Sequence, residues 1–226
     1  MSEKIVVAID GPAGSGKSTV AKKLAERMKC LYLDTGAMYR AVTYCSLENG
    51  IVDNAEAVGD LAARIDLHLQ FENGITRVFV DGEEVTEKIR SAEVNSNVSE
   101  VAVIAKVREE LVRQQREFGK KGSLIAEGRD MTTVVFPDAD VKVYLTASIE
   151  TRAIRRYKEY VAKNIEITIE EVRANIEKRD RIDSSRETSP LMQAEDAILF
   201  DNTSFTVEED VEKLYIIIKE KVSTKV

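Results

Sequence analysis

Histidine is almost missing from this 226-residue chain: His68 stands alone, and with only Cys30 and Cys45 at no metal-ligand spacing, too few soft donors exist to build a zinc site. Two isolated cysteines also give no disulfide framework, so both are expected as small core fillers in a reduced, intracellular protein. His68 alternates along a candidate strand and is expected at the surface and not in catalysis. Three prolines and no low-complexity tract leave no obvious linker. The first apolar run, Ile5 to Ile9, is too short for a signal segment or a membrane span, which points to the cytoplasm. Positive charge is in deficit as well. With 33 Lys+Arg against 40 Asp+Glu the formal net charge is −7, which argues against coating nucleic acid by bulk electrostatics. Anionic ligands must then be met by local clusters, and Arg152, Arg155, Arg156, Lys158, Arg179, Arg181 and Arg186 form the densest one.

What is present is a well-patterned globular sequence, 43% hydrophobic and 32% charged, long enough for one α/β unit with a modest insertion. Ile5 to Ile9 is a β-branched run closed by Asp10-Gly11-Pro12, as in a strand buried on both faces. Lys17 to Met28 carries Val20, Leu24 and Met28 at helical spacing. A second strand is expected at Leu31–Leu33, with Asp34 or Thr35 capping the next helix, and further strands at 124–126, 141–145 and 197–200. Helices are expected over 148–162, 168–183 and 207–222, the latter two opened by Thr168-x-x-Glu171 and Thr206-x-x-Glu209 capping boxes. Five buried strands alternating with helices imply a parallel sheet covered on both faces. Period-two alternation at 67–71 and 76–80, with Asn73-Gly74 between, breaks this rhythm and predicts an inserted antiparallel subdomain at 63–95. The core is then 1–62 and 96–226.

Gly11-Pro12-Ala13-Gly14-Ser15-Gly16-Lys17-Ser18 fits G-x-x-x-x-G-K-[ST] and lies between a buried strand and a helix start, where that loop can wrap a phosphate with successive amides. Lys17 is expected on the β/γ-phosphate oxygens, the Ser18 hydroxyl on Mg²⁺, and Thr19 completes the ATP-binding stretch. A nucleotide-driven regulator and a kinase both use such a loop. The D-x-x-G and N-K-x-D patterns of guanine-specific switches are absent, whereas the arginine-dense 152–186 region supplies the charge stabilisation that phosphoryl transfer needs.

Further blocks are Asp34-Thr35-Gly36-Ala37-Met38-Tyr39-Arg40, Val107-Arg108-Glu109 with Arg113-Gln114-Gln115-Arg116, Glu127-Gly128-Arg129-Asp130-Met131 with Val134-Val135-Phe136-Pro137, and Arg179-Asp180-Arg181-x-Asp183-x-x-Arg186. In this order, from about residue 4 to about residue 222, the chain resembles the bacterial cytidylate kinases of the nucleoside monophosphate kinase group. The resemblance implies a P-loop kinase fold with sheet order 2-3-1-4-5, an inserted CMP-binding subdomain and a short lid at about 152–166. It implies transfer of the γ-phosphoryl of ATP, with Mg²⁺, to CMP or dCMP by a monomer. Arg40 and Arg129 would hold the CMP phosphate, and Thr35 and Asp130 would face the cytosine amine. Arg108 and Arg186 would donate to the ring acceptors, Arg179 and Asp183 would contact the pentose with Ser99 near, and Arg152 and Arg156 would close over the triphosphate.

Chemistry agrees with this reading, because cytosine pairs one donor, N4, with the acceptors N3 and O2 and so calls for a carboxylate beside arginines. A broader pyrimidine kinase accepting UMP is the alternative. Arg179, Asp183 and Arg186 at i, i+4 and i+7 share one helix face, as an exposed charge ladder would too. Three residues depart from the usual pattern. Thr35 stands for serine, Glu127 for aspartate, and Thr132 for a glycine, which puts a left-handed backbone at that position in doubt.

Overall fold

The computed structural model describes residues 4–72, 75–162 and 164–223. β1 (Val6–Asp10) runs into the glycine loop, α1 (Lys17–Met28) follows, and β2 (Leu31–Asp34) leads into α2 (Thr35–Glu48) and α3 (Ala55–Arg64). The insertion holds β3 (Leu67–Glu72), β4 (Ile75–Val80) and β5 (Glu83–Glu84), and a 3-10 turn at Lys88–Arg90 precedes α4 (Ala92–Val101) and α5 (Ala105–Gly119). β6 (Leu124–Gly128) ends in a π-helical turn, Met131–Val135, before β7 (Val141–Thr146), α6 (Ile149–Ala162), α7 (Ile169–Ser185), β8 (Ile198–Asp201) and α8 (Val207–Ser223).

The main sheet has five strands, all paired in parallel, in the order β2-β6-β1-β7-β8. Counted along the chain among these strands alone, that is the expected 2-3-1-4-5. Its strands alternate between two apolar layers: Ala8, Leu33, Leu124 and Ala126 face α2, α3 and α5, while Val7, Ile9, Ile125, Val143 and Leu145 face α1 and α8. Burying each large aliphatic side chain is worth roughly 1.5–3 kcal/mol, so a strand buried on both faces needs the unbroken apolar run seen in the sequence.

Asp34 caps α2 by accepting from the Ala37 amide at 2.8 Å. Both predicted capping boxes are closed: Glu171 and Thr168, and likewise Glu209 and Thr206, exchange backbone and side-chain hydrogen bonds. β3 and β4 pair antiparallel from Leu67↔Val80 to Glu72↔Ile75; the predicted Asn73-Gly74 turn itself lies outside the described residues. The small sheet shares its core with the main one. Leu67, Val78, Val80, Val85 and Ile89 join the layer built on Ala8 and Leu33, and the Phe71 ring sits 4.9 Å from that of Tyr32. His68 is exposed, Cys45 is buried and Cys30 half-buried, and burial pushes both thiols up to about 11. No helix among the described residues is long and apolar enough to cross a membrane.

Candidate active site

The parallel sheet ends its central strands at one edge, where the glycine loop, Asp34, Glu127 and Arg129 come together. Between β1 and α1 the loop passes so near β7 that a Cβ on Gly11 would lie 1.9 Å from the Leu145 carbonyl oxygen. Gly16, left-handed at φ 91°, turns the chain into α1. Lys17 folds back on its own loop and donates to the Pro12 carbonyl at 2.8 Å and to Ser15 Oγ at 3.3 Å. Burial, followed by the nearby Arg129 charge, pulls its ammonium down to about 7.

Strand register places Glu127 beside both Ile9 and Asp34, under the loop. Its Oε1 accepts from Ser18 Oγ at 2.7 Å and from the Tyr32 hydroxyl at 3.3 Å. Burial, reinforced by Asp34, raises its carboxyl above the usual range. The longer glutamate thus reaches the serine expected to face the metal. The donors here are all hard oxygens, and no cluster of three or more His, Cys, Asp or Glu able to hold a metal occurs among the described residues. This suits a Mg²⁺ that takes one hydroxyl from the protein and fills its shell with phosphate oxygens and water.

The acceptor side is assembled from distant segments. Thr35, at the start of α2, donates its hydroxyl to the Glu127 carbonyl at 2.8 Å. Arg40 lies 3.4 Å from Asp34. Arg108 on α5 forms a buried ion pair with Asp130, and its guanidinium stands 5.6 Å from the Tyr39 ring. Arg129 Nε donates to Asp183 Oδ2 at 2.7 Å. The neighbouring arginines hold that aspartate below the usual carboxylate range despite the opposing effect of burial.

Arg179 has an Nε without a partner, and burial plus repulsion from Arg129 lowers its guanidinium to about 10. Arg186 donates to the Ser189 carbonyl at 2.6 Å but leaves one terminal nitrogen unpartnered; burial and Arg108 lower it too. The Tyr39 hydroxyl is also buried and unpartnered. Arg40 with Asp34, Arg108 with Asp130 and Arg129 with Asp183 are thus three separate ion pairs, and Arg179 and Arg186 lie among their charges. Ser99, buried on α4, shares none of these hydrogen bonds or ion pairs.

On α6, Arg152 is packed down. It pairs with Asp180 and donates to the Ala13 and Ala147 carbonyls at 3.0 Å, while Asp180 also accepts from the Ala13 amide at 3.0 Å. Arg156 turns outward to Glu159 at 2.7 Å, 4.9 Å from the Tyr160 ring.

Three structural supports were not predicted as site residues. Asp180 lay unassigned within a quoted block and Arg155 within the basic cluster, but Asn202 carried no signal. Arg155 donates to Asn202 Oδ1 at 3.0 Å, and Asn202 Nδ2 donates to the Ser15 carbonyl at 3.1 Å, so the pair braces the loop from the β8 side. Thr132 is not in a left-handed conformation, so the chain needs no glycine there.

A glycine loop with its lysine, facing a second pocket of crowded arginines across the ends of a parallel sheet, defines a P-loop phosphotransferase acting on an anionic acceptor. A family model described as cytidylate kinase matches residues 7–220. Cytidylate kinase from Enterococcus faecalis is 51% identical, covering 96% of this chain and 97% of its own length. Cytidylate kinase from Bacillus subtilis is 44% identical, covering 98% and 99%. An uncharacterized protein from Eubacterium ventriosum, at 13% identity, superposes with a TM-score of 0.54 over 96% of this chain and 99% of that one, a likeness of fold. The chain belongs to the cytidylate kinase family and is an ATP-dependent phosphotransferase.

Proposed function

We propose that the chain moves the γ-phosphoryl group of ATP, with Mg²⁺, onto CMP or dCMP, giving ADP and CDP or dCDP. One observation carries this reading: β1 and β6 pair in register through Asp10↔Gly128, so Arg129 leaves the sheet beside the start of the glycine loop that ends in Lys17. Arg179 repels Arg129 and has an unsatisfied donor, and a phosphate between such groups relieves the repulsion.

The amides from Gly14 to Thr19 cradle the triphosphate and Lys17 leaves Pro12 to meet its terminal oxygens. Ser18 would hold a Mg²⁺, which when bound would supply charge neutralisation for the phosphates. Arg40 and Arg129 orient the acceptor phosphate, whose oxygen is already anionic and attacks in line without a general base. Arg152 and Arg156 close over the transferring group, Arg152 exchanging Asp180 for phosphate.

Base choice follows from hydrogen positions. The Thr35 hydroxyl spends its proton on the Glu127 carbonyl and so offers only lone pairs, as does Asp130. Both suit the cytosine amine, with Arg108 and Arg186 donating to N3 and O2. Uracil would set its O4 against two acceptors. Arg179, Asp183 and Ser99 serve the pentose, and the inserted segment 63–95 shapes the acceptor end by bracing β2 and α2. The enzyme works on small molecules as a cytoplasmic monomer, without nucleic acid or membrane.

Coupled ADP release measured with CMP, dCMP, UMP, AMP and dTMP tests the reading. Rapid release with CMP and dCMP and roughly a hundredfold less kcat/KM with UMP is expected; ADP formation that no acceptor stimulates would leave a regulator instead.

A further inference from the structure

The π-helical turn Met131–Val135 follows directly on Arg129 and Asp130, so its placement decides where those two side chains point. Asp130 occupies the cap position of this turn but makes no side-chain cap; its carboxylate is committed to Arg108. The open amides are met from elsewhere. Asp10, fully buried at the end of β1, accepts from Met131 N at 2.8 Å through one oxygen, and from Thr132 N at 2.7 Å and Thr132 Oγ1 at 2.6 Å through the other. At the far end of the turn Arg116 donates to the Val134 carbonyl at 2.6 Å and the Val135 carbonyl at 3.3 Å. The turn is thus gripped by a carboxylate at its amide end and a guanidinium at its carbonyl end.

Asp10 is also the residue before Gly11, where the glycine loop begins and passes too close to the Leu145 carbonyl for any side chain to fit. One carboxylate therefore fixes the acceptor-reading turn to the root of the phosphate-donor loop. A buried carboxylate opposes folding unless well supplied with donors, and the Thr132 hydroxyl is the third of those named here. A glycine at that position could offer only its amide.

We infer that Asp10 and the Thr132 hydroxyl are positioning residues for the transfer reaction: they cap the turn in place of Asp130, free Asp130 to read the base with Arg108, and hold Arg129 at a set distance from the loop. This rests on the function proposed above. Neither residue touches substrate, so the expected signature is on acceptor recognition and not on nucleotide donor binding.

The test compares wild type, Thr132→Val, Thr132→Ser and Asp10→Asn for kcat, KM for CMP, UMP and ATP. Thr132→Val, which keeps the shape and loses the hydroxyl, is expected to raise KM for CMP about tenfold and shrink the CMP over UMP preference at least about threefold, with KM for ATP within about twofold. Thr132→Ser should restore wild-type values, and Asp10→Asn, with one acceptor oxygen for two amides, should move in the same direction as Thr132→Val. The inference is overturned if Thr132→Val matches wild type, if it lowers kcat alone with KM for CMP and base preference intact, or if Thr132→Ser is equally impaired. Failure of the wild type to form ADP with CMP would instead remove the functional reading beneath it, before any variant is considered.

Discussion

The donor and acceptor halves of this site are built on different principles. The donor loop is local: consecutive residues from Gly11 to Ser18 shape it, and its lysine is satisfied by its own Pro12 carbonyl. The acceptor pocket is global, with Thr35, Arg108, Arg129 and Asp183 arriving from separate elements and held by ion pairs that link residues far apart in sequence. The first half is set by backbone conformation, braced at a few points by Asp180, Arg152 and Asn202. The second is set by balanced charges, with several guanidinium nitrogens left without a hydrogen bond, and is tuned by any residue that alters the balance.

The sharpest break in the comparison is Lys17→Ala, which removes the one charged group of the loop. It should cost about a thousandfold in kcat by the ADP-release assay, with the cytosine preference of the residual activity unchanged. Asp130→Ala attacks the other half: KM for CMP rises and the CMP over UMP ratio falls roughly a hundredfold, while KM for ATP holds. Equal losses for both bases would contradict that division.

A smaller effect concerns the residue joining the halves. Burial raises the Asp10 carboxyl from 3.8 to about 6, so between those values the folded chain keeps a proton that the unfolded chain has lost. Ionisation of Asp10 therefore opposes folding above pH 6, and the opposition fades as pH falls. Urea unfolding at pH 7.5 and pH 5 should show wild type gaining about 1 kcal/mol relative to Asp10→Asn on acidification. The least effect is expected from Tyr32→Phe, which deletes one donor to Glu127 and keeps the ring against Phe71. It should cost about 1 kcal/mol or less of stability with kcat within about threefold, because Ser18 still donates to Glu127.

This division also explains what could be read from the chain. β1, α1 and the loop between them were legible nearly to the residue because each rests on a short-range rule: an apolar run, a glycine signature, a lysine opening a helix. The sheet order was legible through the family likeness, and its five strands through their buried runs. α3, α4 and α5 were not predicted, since α5 buries little more than Val107 and Leu111 on its apolar face and its other positions are dominated by charge. The arginines of the acceptor pocket were visible as residues but their pairings were not, because spacing along α7 cannot reveal that Asp183 meets Arg129 or that Asp180 meets Ala13. Asn202 was invisible for the same reason: besides nearby Asp210 its partners are Ser15 and Arg155, brought to it by the closing of the sheet.

Among its described residues the hairpin insertion has no hydrophobic interior of its own, since Leu67, Val78, Val80 and Ile89 lodge in the layer that also holds Ala8 and Leu33. It is consequently not a detachable accessory. Excising it would leave a gap in the apolar layer beside α2, and on heating both parts should melt as a single cooperative unit.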